Sequence, residues 1–124
     1  MRPEEHDAAY LWDMLQAARS ILGFTSHTAY ETFASDEMLR MAVERGFQIL
    51  GDAARRVSEA FRSAHSEIPW RGIIAQRNVI VHDYLRLDPE RIWEVIQKDL
   101  PPLVRELERL LPPLPSAPGS SLSL

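Results

Sequence analysis

The chain has 124 residues, 45% of them hydrophobic, and a formal net charge of -4, which fits one domain around a single core and excludes a multi-domain assembly. Its lack of cysteine excludes disulfides and thiolate metal sites, and its negative balance excludes a surface that coats nucleic acid generally, so any RNA contact has to be local. No segment has the apolar length of a membrane span, and Glu4, Glu5 and Asp7 near the start do not suit a signal peptide, so a soluble, cytoplasmic protein without membrane contact is expected.

Taken in chain order, the apolar pattern is helical throughout, with no convincing alternating strand. A first helix is predicted from about Pro3 to Leu22. Ala8, Leu11, Leu15, Ala18 and Leu22 lie on one face, and Gly23 is a plausible stop. Thr28-Ala29-Tyr30-Glu31 reads as a capping box opening a short helix or the long one behind it. The long element carries Leu39, Val43, Gly46, Leu50, Ala53, Val57 and Ala60 at a period near 3.5, suited to close antiparallel packing. Gly46 and Gly51 each lower helix propensity by about 1 kcal/mol, which implies close backbone approach there. A break is expected near Ser66 to Ile68.

The next helix should run from Pro69 to about Leu87, because Asp88-Pro89-Glu90 supplies an N-cap, a first-turn proline and an acidic first turn for the helix that follows. Ile92, Ile96, Leu100, Leu103, Leu107 and Leu110 form the buried face of that last helix, with a kink or break predicted at Pro101 and Pro102. The expectation is an all-α, antiparallel bundle of four to five helices without a sheet. The domain spans residues 1–111, followed by a flexible Pro/Ser-rich tail, 112–124.

The chemistry concentrates in Arg77-Asn78-Val79-Ile80-Val81-His82-Asp83-Tyr84. On a helical wheel Arg77 falls inside the apolar arc and shares a stripe with Tyr84. Asn78 and His82, four apart, form a second row roughly 100 to 140° around the axis. An arginine beside a histidine, with no metal ligand set, suits chemistry on a phosphodiester: arginine grips phosphate oxygens and histidine moves protons near neutral pH. A purely structural role is open too, with Arg77 ion-paired to Glu44, Asp52 or Glu59 and His82 on the surface. None of His6, His27, His65 or His82 has a Glu three residues before it, so the Glu-x-x-His pattern of di-iron bundles is missing. No phosphate-binding glycine loop or nucleophile elbow is present either, and no metal or cofactor is expected. Thirteen of the 14 basic residues are arginine, a bias that high genomic GC content also produces.

A wider frame surrounds the motif. Ala42-Val43-Glu44-Arg45, Ile49-Leu50-Gly51-Asp52-Ala53, His65-Ser66-Glu67-Ile68-Pro69-Trp70, Arg77-Asn78 with His82 and Tyr84, and then Ile92-Trp93 and Asp99-Leu100-Pro101 together resemble the HepT toxins of the HEPN superfamily from Leu39 through Leu110. The resemblance implies a metal-independent endoribonuclease, the toxin of a toxin-antitoxin pair, built as a homodimer whose facing motif helices contribute two Arg77 and two His82 to one cleft. It implies RNA as substrate, with no DNA, and cleavage by the ribose 2′-hydroxyl to leave cyclic phosphate ends. Asn78 would orient the imidazole or bind RNA. The partner would be a MntA-like nucleotidyltransferase antitoxin that AMPylates Tyr84, in a dimer or a larger complex. Asp83 departs from the small residue common at its position and adds negative charge nearby. The alternative is a catalytically silent helical adaptor that keeps the dimer face and Tyr84 only for that partner.

Overall fold

The computed structural model describes residues 5–83 and 88–111, with side chains described for 6–76 and 88–111. Among these residues every regular element is a helix: α1 (Glu5–Thr25), α2 (Tyr30–Ser35), α3 (Glu37–Arg56), α4 (Glu59–Ala64), α5 (Trp70–Asp83), α6 (Pro89–Lys98) and α7 (Leu100–Leu110). The all-α bundle is as expected. The count exceeds four to five because α2 and α4 are short helices in the connections and the last helix is split in two.

Helix α3 is the central member, packed on α1 along one side and α5 along the other, while α7 covers α1 and α2 meets α6. Its inner face presents Val43, Phe47, Leu50 and Ala54 to Leu11, Met14, Leu15, Ala18 and Ile21 of α1 and to the leucines of α7, all buried in one cluster. Truncating such a side chain, Leu107→Ala for example, costs about 2 to 5 kcal/mol through lost burial and the cavity left behind. The close approach expected at Gly46 is present: a Cβ there would stand 2.5 Å from Cγ1 of Ile21.

Several boundaries differ from the sequence expectation. Helix α1 runs through Gly23 to Thr25, where the Thr25 hydroxyl donates back to the Ile21 carbonyl at 2.9 Å; one exposed glycine lowers propensity without ending a helix that tertiary contacts hold. The reversal comes at His27, whose φ of 61° is left-handed. Thr28 is not a cap: α2 starts one residue later, behind Ala29, with no side-chain cap bond. The working N-cap is Asp36, whose carboxylate accepts from the Leu39 amide at 3.0 Å and opens α3.

The long element also breaks earlier than Ser66. Val57 leaves helical geometry, and Ser58 caps α4 by accepting from the Phe61 amide at 3.2 Å. The cap at Asp88 is as predicted, accepting from the Glu90 amide at 3.0 Å. The proline pair does break the last helix, but at Asp99: Pro101 and Pro102 sit in the first turn of α7, where a missing N–H costs little.

Candidate active site

Trp70 sets the entry to α5. Its side chain is buried, its indole N–H donates to the His65 carbonyl at 2.9 Å, and its ring meets Phe61 edge-on at 6.5 Å between centroids. Pro69 ahead of it contributes its carbonyl to the Ile73 amide, starting the helical ladder at 3.0 Å. With Trp70 inside and Ile73 and Ile74 half-buried against the core, the rotation of α5 about its axis is determined, and Arg71, Gly72 and Ala75 are exposed.

That rotation assigns stripes on the helix. At about 100° per residue, positions 71, 75, 78 and 82 form one row, of which Arg71 and Ala75 are the described, exposed members. Arg77 occupies the row of Trp70. The side chains of Arg77, Asn78 and His82 lie outside the described residues, although the backbone there is helical, and Tyr84 lies outside them altogether. Of the three carboxylates that could pair with Arg77, Glu44 and Asp52 are half-buried on α3 and Glu59 is exposed at the start of α4. Burial pushes the Glu44 carboxyl above its ordinary value, opposed by Arg40.

Beside α5 a 350 Å³ cleft opens between α3, α5, α6 and α7. Phe47, Leu50, Ile73, Val95 and Leu103 make it apolar, and Gln76, the residue before Arg77, stands on its lining with Arg91 and Lys98. A polar network crosses its edge. His65 Nδ1 lies 3.1 Å from a Glu67 carboxylate oxygen, which also accepts from Arg109 at 3.1 Å, and Arg109 donates in turn to Glu106 at 2.8 Å. The Glu67 carboxyl is held below its ordinary value by its own backbone N–H first, then by His65 and Arg109. Among the described residues no group of three or more His, Asp or Glu is arranged to hold a metal ion.

Sequence reasoning did not single out this network or the buried Asp7, which binds Ser58. Both join residues more than forty positions apart, and no local pattern marks such pairs. The polar Ser-x-x-Phe start of α4 was the one available hint, since Ser58 is an N-cap residue in its own right.

Residues 14–110 match the family described as Ribonuclease HepT-like. The chain belongs to that family. Its HepT-like relatives carry provisional ribonuclease names. RNase MJ1380 of Methanocaldococcus jannaschii is 32% identical over 100 residues, covering 81% of this chain and 92% of the relative. Ribonuclease HepT of Thermococcus cleftensis is 33% identical over 101 residues, covering 82% and 92%, and RNase TTE0752 of Caldanaerobacter subterraneus subsp. tengcongensis is 30% identical over 102 residues, covering 82% and 91%. No solved structure matches the chain. The HepT-like match includes the whole of α5, so the Arg77 to His82 segment falls within it. No helix among the described residues is long and apolar enough to cross a membrane.

Proposed function

We propose that this HepT-like ribonuclease is the toxin of a toxin-antitoxin pair and cleaves RNA without a metal ion, through Arg77 and His82 from two copies of the chain. The observation that carries the reading is one uninterrupted helix, α5, spanning Trp70–Asp83 inside the matched family region. His82 lies five positions after Arg77, roughly 140° around the axis and about 7.5 Å along it, a separation that a phosphodiester and its flanking ribose span.

Transesterification at RNA needs a base for the 2′-hydroxyl proton, an acid for the departing 5′-oxygen and a cation for the charge gathering on the phosphorus oxygens. Arginine supplies the last through charge-assisted hydrogen bonds, and histidine can serve as base or acid. One imidazole cannot do both in a single step, so a second copy supplies the other. Support for the homodimer comes from α3, where Met38, Met41 and Ile49 share one face and are 83%, 62% and 39% exposed, an apolar row that association would cover. The neutralising partner is a MntA-like nucleotidyltransferase that places AMP on Tyr84. The added phosphate would compete with RNA for the arginine.

The test is cleavage of total and transfer RNA in excess EDTA by the purified chain, His82→Ala and Arg77→Ala. Cleavage that persists under chelation, leaves cyclic phosphate ends and disappears in both variants is expected. Absence of cleavage by unmodified native chain, verified by intact mass, would instead support the silent adaptor. Co-expression with the nucleotidyltransferase should add whole AMP units to the wild type and none to Tyr84→Phe.

A further inference from the structure

In a chain with net charge -4, three exposed arginines stand where the end of α3 and the start of α5 are joined through α4. Arg55 and Arg56 close α3, and Arg71 opens α5. All three are exposed, and among the described residues none makes an ion pair, whereas Arg19, Arg109 and Lys98 elsewhere each bind a glutamate. The two helix ends are held together by α4, whose Phe61 packs on Trp70 and whose last turn leads to the His65 carbonyl that accepts from the Trp70 indole. The acids of this end are largely committed. Asp7 is bound to Ser58 and Glu67 to His65 and Arg109, leaving Glu59 exposed.

Helix electrostatics account for only part of this. Arg55 and Arg56 suit the negative end of α3, but Arg71 sits in the first turn of α5, where the dipole opposes a cation and no acid is present to compensate. Arg71 also heads the row that continues through Ala75 and position 78 to position 82, about 16 Å away at 1.5 Å per residue.

We propose that Arg55, Arg56 and Arg71 form a phosphate-binding track that holds the single-stranded flank of the RNA substrate beyond the cleavage point. The proposal rests on the RNA-cleavage reading above. The track binds and takes no part in bond breaking. Guanidinium groups spaced along a groove grip successive phosphates irrespective of base, and a local track lets an acidic protein hold RNA without a generally basic surface.

The experiment measures binding by fluorescence anisotropy of a 2′-O-methyl RNA oligonucleotide, which lacks the attacking hydroxyl, together with cleavage kinetics on the unmodified RNA. The full chain is compared with the triple variant Arg55→Gln/Arg56→Gln/Arg71→Gln, with the corresponding triple lysine variant, and with Arg19→Gln/Arg105→Gln, both exposed and away from the cleft, as a control for charge alone. The triple Gln variant should bind at least tenfold more weakly, with KM raised and kcat within about twofold. Its log Kd against log salt slope should fall by about 2, from about 0.7 per lost single-strand phosphate contact. The lysine variant should keep most of the affinity and the control should match wild type. Wild-type cleavage with unchanged affinity in the triple Gln variant overturns the track alone, whereas a wild type that neither binds nor cleaves RNA overturns the cleavage reading as well. A triple Gln variant that keeps RNA but loses a polyglutamate peptide assigns the patch to an acidic protein and also overturns the track.

Discussion

Asp7, only 6% exposed in the first turns of α1, accepts two hydrogen bonds from Ser58, one from its amide at 2.8 Å and one from its hydroxyl at 2.6 Å. The same hydroxyl accepts from the Phe61 amide, so one carboxylate orients the cap that starts α4 and, through Phe61, the seat of Trp70. Asp7→Ala takes the acceptor from the part-buried Ser58 amide and hydroxyl, and should destabilise the chain by about 1 to 2 kcal/mol. Urea unfolding should show a lower midpoint with an unchanged m value. Ser58→Ala should lower stability by about 1 kcal/mol through the lost cap, and the double variant should fall short of the sum of the two.

Gly46 and Gly23 both lie in helices, yet alanine should act on them in opposite directions. At Gly46 a Cβ would meet Ile21 at 2.5 and 3.0 Å, so overpacking of about 1 to 3 kcal/mol should exceed the propensity gain. At Gly23 nothing stands within 4 Å, and the substitution should stabilise by about 0.5 to 1 kcal/mol. Thermal unfolding should therefore show Tm falling for Gly46→Ala and rising for Gly23→Ala, and Ile21→Val should recover part of the Gly46→Ala loss.

The two perturbed carboxyls predict opposite pH dependences. Glu67 titrates below its ordinary 4.5 in the folded chain, so its contribution is present above that pH and is lost as pH falls through the folded value. Glu44 titrates above 4.5, so its contribution is fully present below that pH and is lost as pH rises through the folded value. Glu67→Gln should thus be less stable than wild type at neutral pH, with the gap closing in acid. Glu44→Gln should be more stable at neutral pH, and its advantage should shrink below pH 4.5. Urea midpoints of both variants from pH 3 to 8 would check the signs.

For the proposed cleavage, loss of the proton-transfer group in His82→Ala should lower kcat by about 10² to 10⁴. Loss of the phosphate cation in Arg77→Ala should lower it by about 10² to 10³. Mixing the two inactive variants tests the shared cleft: the mixed dimer keeps one His82 and one Arg77, so a mechanism that takes its acid from one copy's His82 and its base from the other's predicts no recovery, whereas restored cleavage would overturn the two-histidine arrangement. Single-turnover assays on the mixture would read it directly.

The helix inventory was legible wherever a boundary is encoded locally. Asp88 and Pro89 state a helix start in adjacent residues, and the cap forms there. The boundaries that resisted reading depend on distant partners. Gly23 does not stop α1 because the helix is buried along its length against α3 and α7. Val57 ends α3 within an unbroken apolar period because Asp7, far away in the chain, captures the Ser58 amide that the helix would otherwise use. Pro101 and Pro102 do mark a break, but its position follows from proline's tolerance of a first turn, which moves the joint upstream to Asp99. The motif was visible because its residues are close in sequence. The proposed arginine track was not, since the end of α3 and the start of α5 are joined only by way of α4.

Asp7 with Ser58 and Ile21 with Gly46 are two pins on α1, one to the cap of α4 just beyond the end of α3 and one to α3 itself, set roughly 20 Å apart along α1 at 1.5 Å per residue. One is polar and tolerates no vacancy, whereas the other is steric and tolerates no added methyl group. Sliding α1 by one turn would pull the carboxylate off its donors and push a bulkier residue than glycine under Ile21 in the same movement. The helix pair therefore has a single seat, with no neighbouring notch into which it can slip.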